Sequence, residues 1–239
     1  MNEQEEMKKY LEDSYTYHFF FNHGLFEDLM NFEELIKETK IYLFEKVQAH
    51  KKLPDLNPTD ERYGMVVNFE YFYPSILWKS LLLSIYFQTE SALDQICQNL
   101  KKSNDYELTL KDIQGNGIFR SSLYLKKVCG IKAPFQTENW SKITDLNKVR
   151  NLLVHSDGIL SNSNNKLKAV CEKYDGIIMT ELTNDEISIT IMEEFCSLML
   201  ENVQELFNTI YKEMMHKKPA GNKTSYEKPS SSSLKLINI

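Results

Sequence analysis

The segment that most constrains the fold is a long apolar stretch at residues 75–100. Pro74 directly precedes it, which suits the first turn of a helix, and the segment is the most apolar helix that the sequence predicts. Its most apolar part, residues 76–87, contains Lys79 and is too short to span a membrane, which takes about 20 apolar residues. Together with thirteen Tyr and thirteen Phe against eight Gly and six Pro, the segment indicates a helical interior packed with aromatic side chains.

Helix signals dominate the rest of the chain as well, so the sequence predicts a mainly α fold. Residues 1–73 are predicted to form an N-terminal helical extension, with one helix at 4–21 and a second from residue 25 to about residue 53. Residues 74–216 are predicted to form a helical bundle. Residues 217–239 are rich in Ser, Lys and Pro and are predicted to be a flexible tail.

Three elements of the predicted bundle frame the candidate site. A helix at 139–156 carries apolar residues at helical spacing, with Asn139 as its N-cap. Residues 177–191 contain two strand-like runs turned at 183–185, which predicts a small β-hairpin. A final amphipathic helix is predicted at 192–215.

Charge is distributed unevenly along the chain. The net charge is −6, but residues 120–173 carry ten Lys or Arg against four Asp or Glu, which makes that segment +6. A positive surface of this kind suits a phosphate backbone, although a solvated charged face is an equal alternative for any single lysine. The four cysteines have no C-x-x-C spacing, and the N-terminus lacks the order of a signal peptide. These features predict a cytoplasmic protein without a zinc site or a disulfide.

Inside the positive segment lies the pattern R-N-x-x-x-H, formed by Arg150, Asn151 and His155. It follows apolar residues at helical spacing and precedes residues 156–158, a Ser-Asp-Gly sequence that ends helices. Arginine keeps its charge at any working pH and holds two phosphate oxygens at once, while an imidazole exchanges protons near neutral pH. RNA supplies its own nucleophile, the 2′-hydroxyl, so these side chains suit phosphodiester cleavage without a metal.

The spacing of this motif leaves its geometry open. Asn151 and His155 are four residues apart and share a helix face, but Arg150 and His155 are separated by roughly 140° around an ideal helix. The two side chains converge if the helix distorts at its end, if Arg150 reaches around on its long side chain, or if a second copy faces the first. A purely structural role is also open, because a histidine at a helix C-terminus interacts favourably with the helix dipole.

The ordered motifs resemble those of the HEPN superfamily, helical bundles whose Arg and His lie near the end of one core helix. The resemblance covers roughly residues 74–212, and residues 1–73 have no counterpart in it. Residues 80–93 resemble the first core helix, with Glu90 at a recurrent acidic position, and residues 117–127 resemble the short helix before the motif. The match is completed by Trp140 and by residues 149–151 and 155–158.

The resemblance implies a metal-independent endoribonuclease without a cofactor, acting in toxin–antitoxin or anti-phage systems. It implies RNA as the substrate, a homodimer that brings two motifs together, and an antitoxin or other defence protein as a further partner. By the same resemblance Arg150 would bind the scissile phosphate, His155 would be the general base or acid, and Asn151 would orient or bind. Further supporting or RNA-binding residues are Glu90, Lys148, Ser156, Arg120, Lys126 and Lys127.

Several positions leave alternatives open. One HEPN subset has a Tyr two residues after the His that a partner enzyme modifies, but Asp157 occupies that position here, so this route of neutralisation is not expected. Glu90 and Asp94 share a helix face and are interpreted as a polar edge or a hydrogen-bonding position rather than a cation site. The aromatic residues 71–73 could stack bases, but core or interface packing is the favoured interpretation. The alternative function is a catalytically silent module of the same fold that dimerises or holds a partner.

Overall fold

The computed structural model describes residue 20 and residues 24–52, 59, 61–104 and 106–216. Apart from Phe20, the predicted helix at 4–21 lies outside these residues, as does the predicted tail at 217–239. The described part consists mainly of α-helices with one small sheet, which confirms the predicted fold class. Its elements, in chain order, are α1 (Leu25–Lys51), α2 (Glu61–Val67), α3 (Tyr73–Asn104), α4 (Gly117–Lys127), α5 (Glu138–His155), β1 (Ile159–Ser161), α6 (Asn165–Glu172), β2 (Ile177–Glu181), β3 (Glu186–Ile191) and α7 (Glu193–His216).

Helix α3 is the element against which most others pack. It contacts α1, α4, α5, α7 and β3, and its buried side chains recur at helical spacing, as Trp78, Leu82, Ile85 and Leu93 do. A π-helical turn at Asn68–Phe72 joins α2 to α3, so a helical run extends from residue 61 to residue 104. The boundary predicted at residue 73 therefore falls inside this run.

Helix α7 completes the core by packing against α1, α3 and α5. The stripe that the sequence predicts along it is buried, with Phe195, Met199, Val203 and Phe207 each fully inaccessible to solvent. Helix α1 shares the same core, because its buried residues Leu25, Leu29, Ile36 and Leu43 belong to one continuous cluster with those of α3 and α7. All four cysteines are free and buried. Among the described helices, none has the length and apolar character that a membrane crossing requires.

The sheet has three antiparallel strands in the order β1-β3-β2. Strands β2 and β3 form the predicted hairpin, in the register that pairs Ile177 with Ile191 and Glu181 with Ile187. Strand β1, which the sequence analysis did not predict, begins four residues after the end of α5 and pairs with β3. It attaches the segment that follows the R-N-x-x-x-H motif directly to the sheet. Helix α6 was not predicted either, and Asn164 caps it by accepting a hydrogen bond from the Leu167 amide.

Candidate functional site

The motif lies on the last turns of α5, a helix whose N-cap differs from the prediction. Thr137 is the N-cap, and its hydroxyl accepts a hydrogen bond from the Trp140 amide at 3.2 Å. The prediction of Asn139 is wrong, because that residue already lies inside the helix. At the other end the helix is regular through His155, and the Ser156 amide still donates to the Leu152 carbonyl at 3.0 Å.

Arg150 is held by aromatic rings of the neighbouring helix α3. Its guanidinium carbon lies 5.2 Å from the ring centroid of Tyr86 and 5.3 Å from that of Phe87, which is cation–π distance. One of its Nη atoms donates to the Asn151 side-chain oxygen at 2.9 Å, while the buried Nε has no acceptor. Within the described residues no carboxylate pairs with Arg150. The motif arginine thus keeps an uncompensated charge at a half-buried position.

The hydrogen bond from Arg150 to Asn151 bears on whether the side chains of Arg150 and His155 can reach the same phosphate. Asn151 lies between Arg150 and His155 around the helix and shares a face with His155, so the contact directs the guanidinium towards that face. Because α5 is regular to its last residue, a distortion of the helix end does not bring Arg150 and His155 together. The reach of the Arg150 side chain and a second copy of the chain are the two other routes. His155 itself is exposed, and its side chain makes no hydrogen bond within the described part of the chain.

Tyr86 connects Arg150 to Glu90, and the sequence analysis did not identify it. Its hydroxyl donates to the Asn147 side-chain oxygen at 2.6 Å. Burial, and then the nearby charge of Glu90, raise the pKa of Tyr86, so the phenol stays protonated. The Glu90 carboxylate in turn lies against Gly117, where an added Cβ would be 3.3 Å from its oxygen. Only the four-residue spacing of Tyr86 and Glu90 on one helix face could have indicated this pairing.

The structure does not bring Lys148 and Arg120 to the motif as free cations. Lys148 pairs with Asp145 at 2.8 Å, and Arg120 pairs with Asp94 at 3.7 Å. Asp94 also accepts a hydrogen bond from Ser121, so it occupies the hydrogen-bonding position that the sequence predicts for it. The charge of both basic residues is compensated locally, and they add less to a phosphate-binding surface than the charge count indicates.

The remaining predicted residues lie on two separate surfaces. Lys126 and Lys127, at the end of α4, line an open cleft of about 610 Å³ together with Lys132, and no motif residue lines this cleft. Ser156 is the exposed C-cap of α5. Arg150 and Glu90 are thus grouped around Tyr86, whereas Lys126 and Lys127 on α4 line a separate cleft.

The turn after the motif is tied to α3. Asp157 adopts a left-handed backbone with φ of 49°, and its carboxylate accepts a hydrogen bond from Lys79. This hydrogen bond, and the charge of the lysine, hold the pKa of Asp157 below its usual range. With the Tyr86–Asn147 contact, it shows that α3 and α5 run antiparallel along the site.

No family model, curated protein or solved structure matches the chain. In the described residues, no three His, Cys, Asp or Glu side chains lie close enough together to hold a metal ion.

Proposed function

We propose that this chain is a metal-independent endoribonuclease of the HEPN type, acting in the cytoplasm as a toxin or anti-phage defence effector. The observation that carries the proposal is the state of Arg150. Its guanidinium is held by two aromatic rings and an amide and has no carboxylate partner in the described chain. A structural arginine is normally paired with a carboxylate, as Arg120 is, whereas one that binds a phosphate has to keep its charge available.

The proposed reaction uses the three motif residues in distinct roles. The exposed imidazole of His155 removes the proton from the 2′-hydroxyl while O2′ attacks the phosphorus atom. The bond from phosphorus to O5′ breaks, and the departing oxygen takes a proton from water. Arg150 stabilises the charge that builds up on the phosphate oxygens, and Asn151 keeps the guanidinium on the side of the helix that His155 shares. The products are a 2′,3′-cyclic phosphate end and a 5′-hydroxyl end.

A homodimer and an antitoxin or other defence protein belong to the same proposal. The positive segments of two chains would add along a shared cleft and raise its potential for RNA despite the net charge of −6. Since Arg150 and His155 lie roughly 140° apart around a regular helix, a two-fold axis would also bring both copies of the motif to that cleft.

The test is an RNA cleavage assay in EDTA with analysis of the product ends. The wild type should cleave and leave 2′,3′-cyclic phosphate, and His155→Ala and Arg150→Ala should each abolish cleavage. His50→Ala, on α1 and stacked on Phe69, is the matched control and should cleave normally. Loss of activity in EDTA that magnesium restores would contradict the mechanism. Equal cleavage by wild type and His155→Ala would contradict the proposed role of His155.

A second candidate function, partner binding by a catalytically silent module, is favoured by one observation. The π-helical turn before α3 contains Tyr71 and Phe72, which are 65% and 60% exposed. The sequence analysis favoured core or interface packing for these residues. For Tyr71 and Phe72 the prediction of core packing is therefore wrong. Large exposed apolar patches mark interaction sites. If the Arg150→Ala variant keeps the biological effect of the wild type, this second function replaces the first.

A further inference from the structure

An exposed phenylalanine lies directly beside the motif arginine. Phe87 follows Tyr86 on α3, and 51% of the residue is exposed to solvent. Its ring packs edge-to-face on Tyr86, with centroids 6.3 Å apart, and lies 5.3 Å from the guanidinium carbon of Arg150. An exposed phenylalanine is ordinary by itself, but this one touches the proposed phosphate-binding cation.

The surroundings of this ring leave it open. Its neighbours one turn away on α3 are Leu83, Ser84, Glu90 and Ser91. The two serines are short and exposed, whereas Leu83 and Glu90 are partly buried. On α5 the residue one turn beyond Arg150 is Val154, which is 44% exposed. Phe87 thus presents an exposed apolar surface beside the guanidinium of Arg150.

We propose that the exposed surface of Phe87 is a stacking subsite for an unpaired base, and that the substrate is single-stranded RNA. The proposal rests on the proposed function and specifies its substrate class. A phosphate bound at Arg150 and a base stacked on Phe87 belong to adjoining positions of one strand. Stacking on aromatic side chains is a general way of holding single-stranded nucleic acid, because every base has a π-face.

Base pairing would prevent this contact. In an A-form duplex each base is stacked between its neighbours, so its faces are not available to a protein side chain, and recognition by stacking needs loops, bulges or ends. Attack by the 2′-hydroxyl also requires a linkage that can rotate until O2′, phosphorus and O5′ are in line. An unpaired nucleotide satisfies both conditions.

The experiment measures binding separately from cleavage. The full chain carrying His155→Ala is titrated into a ten-nucleotide single-stranded RNA with one 2-aminopurine, and into the same sequence as a duplex. The single strand should bind more tightly and its fluorescence should be quenched by stacking. Adding Phe87→Leu should weaken binding roughly 5-fold to 100-fold and remove the quenching, while Phe87→Trp should preserve both. Phe44→Leu, at a 63% exposed position on α1, is the matched control and should bind normally.

The outcomes separate this inference from the proposed function. The inference is overturned if His155→Ala binds single-stranded RNA equally well with and without Phe87→Leu. It is also overturned if the duplex binds more tightly than the single strand, or if the single strand does not bind at all. Binding that depends on Phe87, in a protein whose wild type does not cleave RNA, supports the subsite and contradicts the ribonuclease. A wild type that cleaves while Phe87→Leu binds and cleaves equally well leaves the ribonuclease in place and removes the subsite.

Discussion

The replacement Asp145→Asn should lower the stability of the folded protein, because Asp145 lies on the buried side of α5, the motif helix. Asp145 is only 6% exposed and accepts hydrogen bonds from Lys148 at 2.8 Å, Lys173 at 3.0 Å and the Tyr174 hydroxyl at 2.8 Å. It links α5 to the segment that follows α6. Burial acts to raise the pKa of Asp145, but the three hydrogen bonds outweigh it and hold the pKa below its usual range. The carboxylate is therefore stabilised in its charged form in the folded protein.

The magnitude follows from these contacts. The two lysines are 50% and 45% exposed, so each ion pair contributes about 0.5–1 kcal/mol after screening by solvent. The bond from Tyr174 loses about 1 kcal/mol when its acceptor becomes a neutral amide. The loss for Asp145→Asn is thus about 2–3 kcal/mol, which lowers the melting temperature by about 4–12 °C in a protein of this size.

The assay is thermal and urea unfolding of the wild type and Asp145→Asn from neutral pH down to pH 2.5. Because the folded pKa lies below the unfolded one, the stabilisation is complete above the unfolded value of about 3.9 and disappears as pH falls through the folded value. The difference between the two proteins should therefore be constant at neutral pH and shrink below about pH 4. Asp175→Asn, an exposed carboxylate beside Tyr174, is the control and should unfold like the wild type. A melting temperature of Asp145→Asn within 1 °C of the wild type, or a deficit at pH 2.5 as large as the one at neutral pH, would refute this reasoning.

Three further predictions concern the site and its supports. His155→Ala should change the unfolding free energy by no more than about 0.5 kcal/mol in urea, since the side chain is exposed, and a larger change would indicate a structural role. Gly117→Ala should cost about 1–2 kcal/mol by the same measurement, because the backbone has φ of +54° and the new Cβ would meet the Glu90 carboxylate; an unchanged value would contradict that geometry. Thr137→Ala should cost about 1 kcal/mol by removing the N-cap of α5, and Thr137→Ser should restore most of the loss.

Local patterns predicted the fold where the segments are long or strongly periodic. The motif helix was predicted at 139–156 and observed at Glu138–His155, and the hairpin appears at the predicted place. Strand β1 could not be predicted in this way, because it has three residues and its partner Ser188 lies far along the chain from Ile159. Helix α6 has a polar sequence of eight residues whose periodicity is too short to distinguish it from a loop.

The candidate site was predictable only in its motif. Arg150, Asn151 and His155 are adjacent in sequence, whereas the rings that hold Arg150 come from residues more than sixty positions earlier, and only the folded chain brings them together. Charge counting was similarly limited. Lys148 contributes to the positive charge of its segment, but a sum of charges does not show that Lys148 forms an ion pair with Asp145.

Strand β1 has a consequence for the order of the site. Gly158 joins the two structures, since its amide donates to the Leu152 carbonyl at 3.1 Å and its carbonyl accepts from the Ile189 amide at 2.9 Å. The last turn of α5 and a three-residue edge strand therefore form one cooperative opening unit, held by few hydrogen bonds. Their amide protons should exchange with solvent at a common rate, faster than those of α3. Arg150, held from α3, would remain in place during such an opening. The proposed general base, His155, and the proposed phosphate-binding residue, Arg150, would therefore lose their order at different free energies.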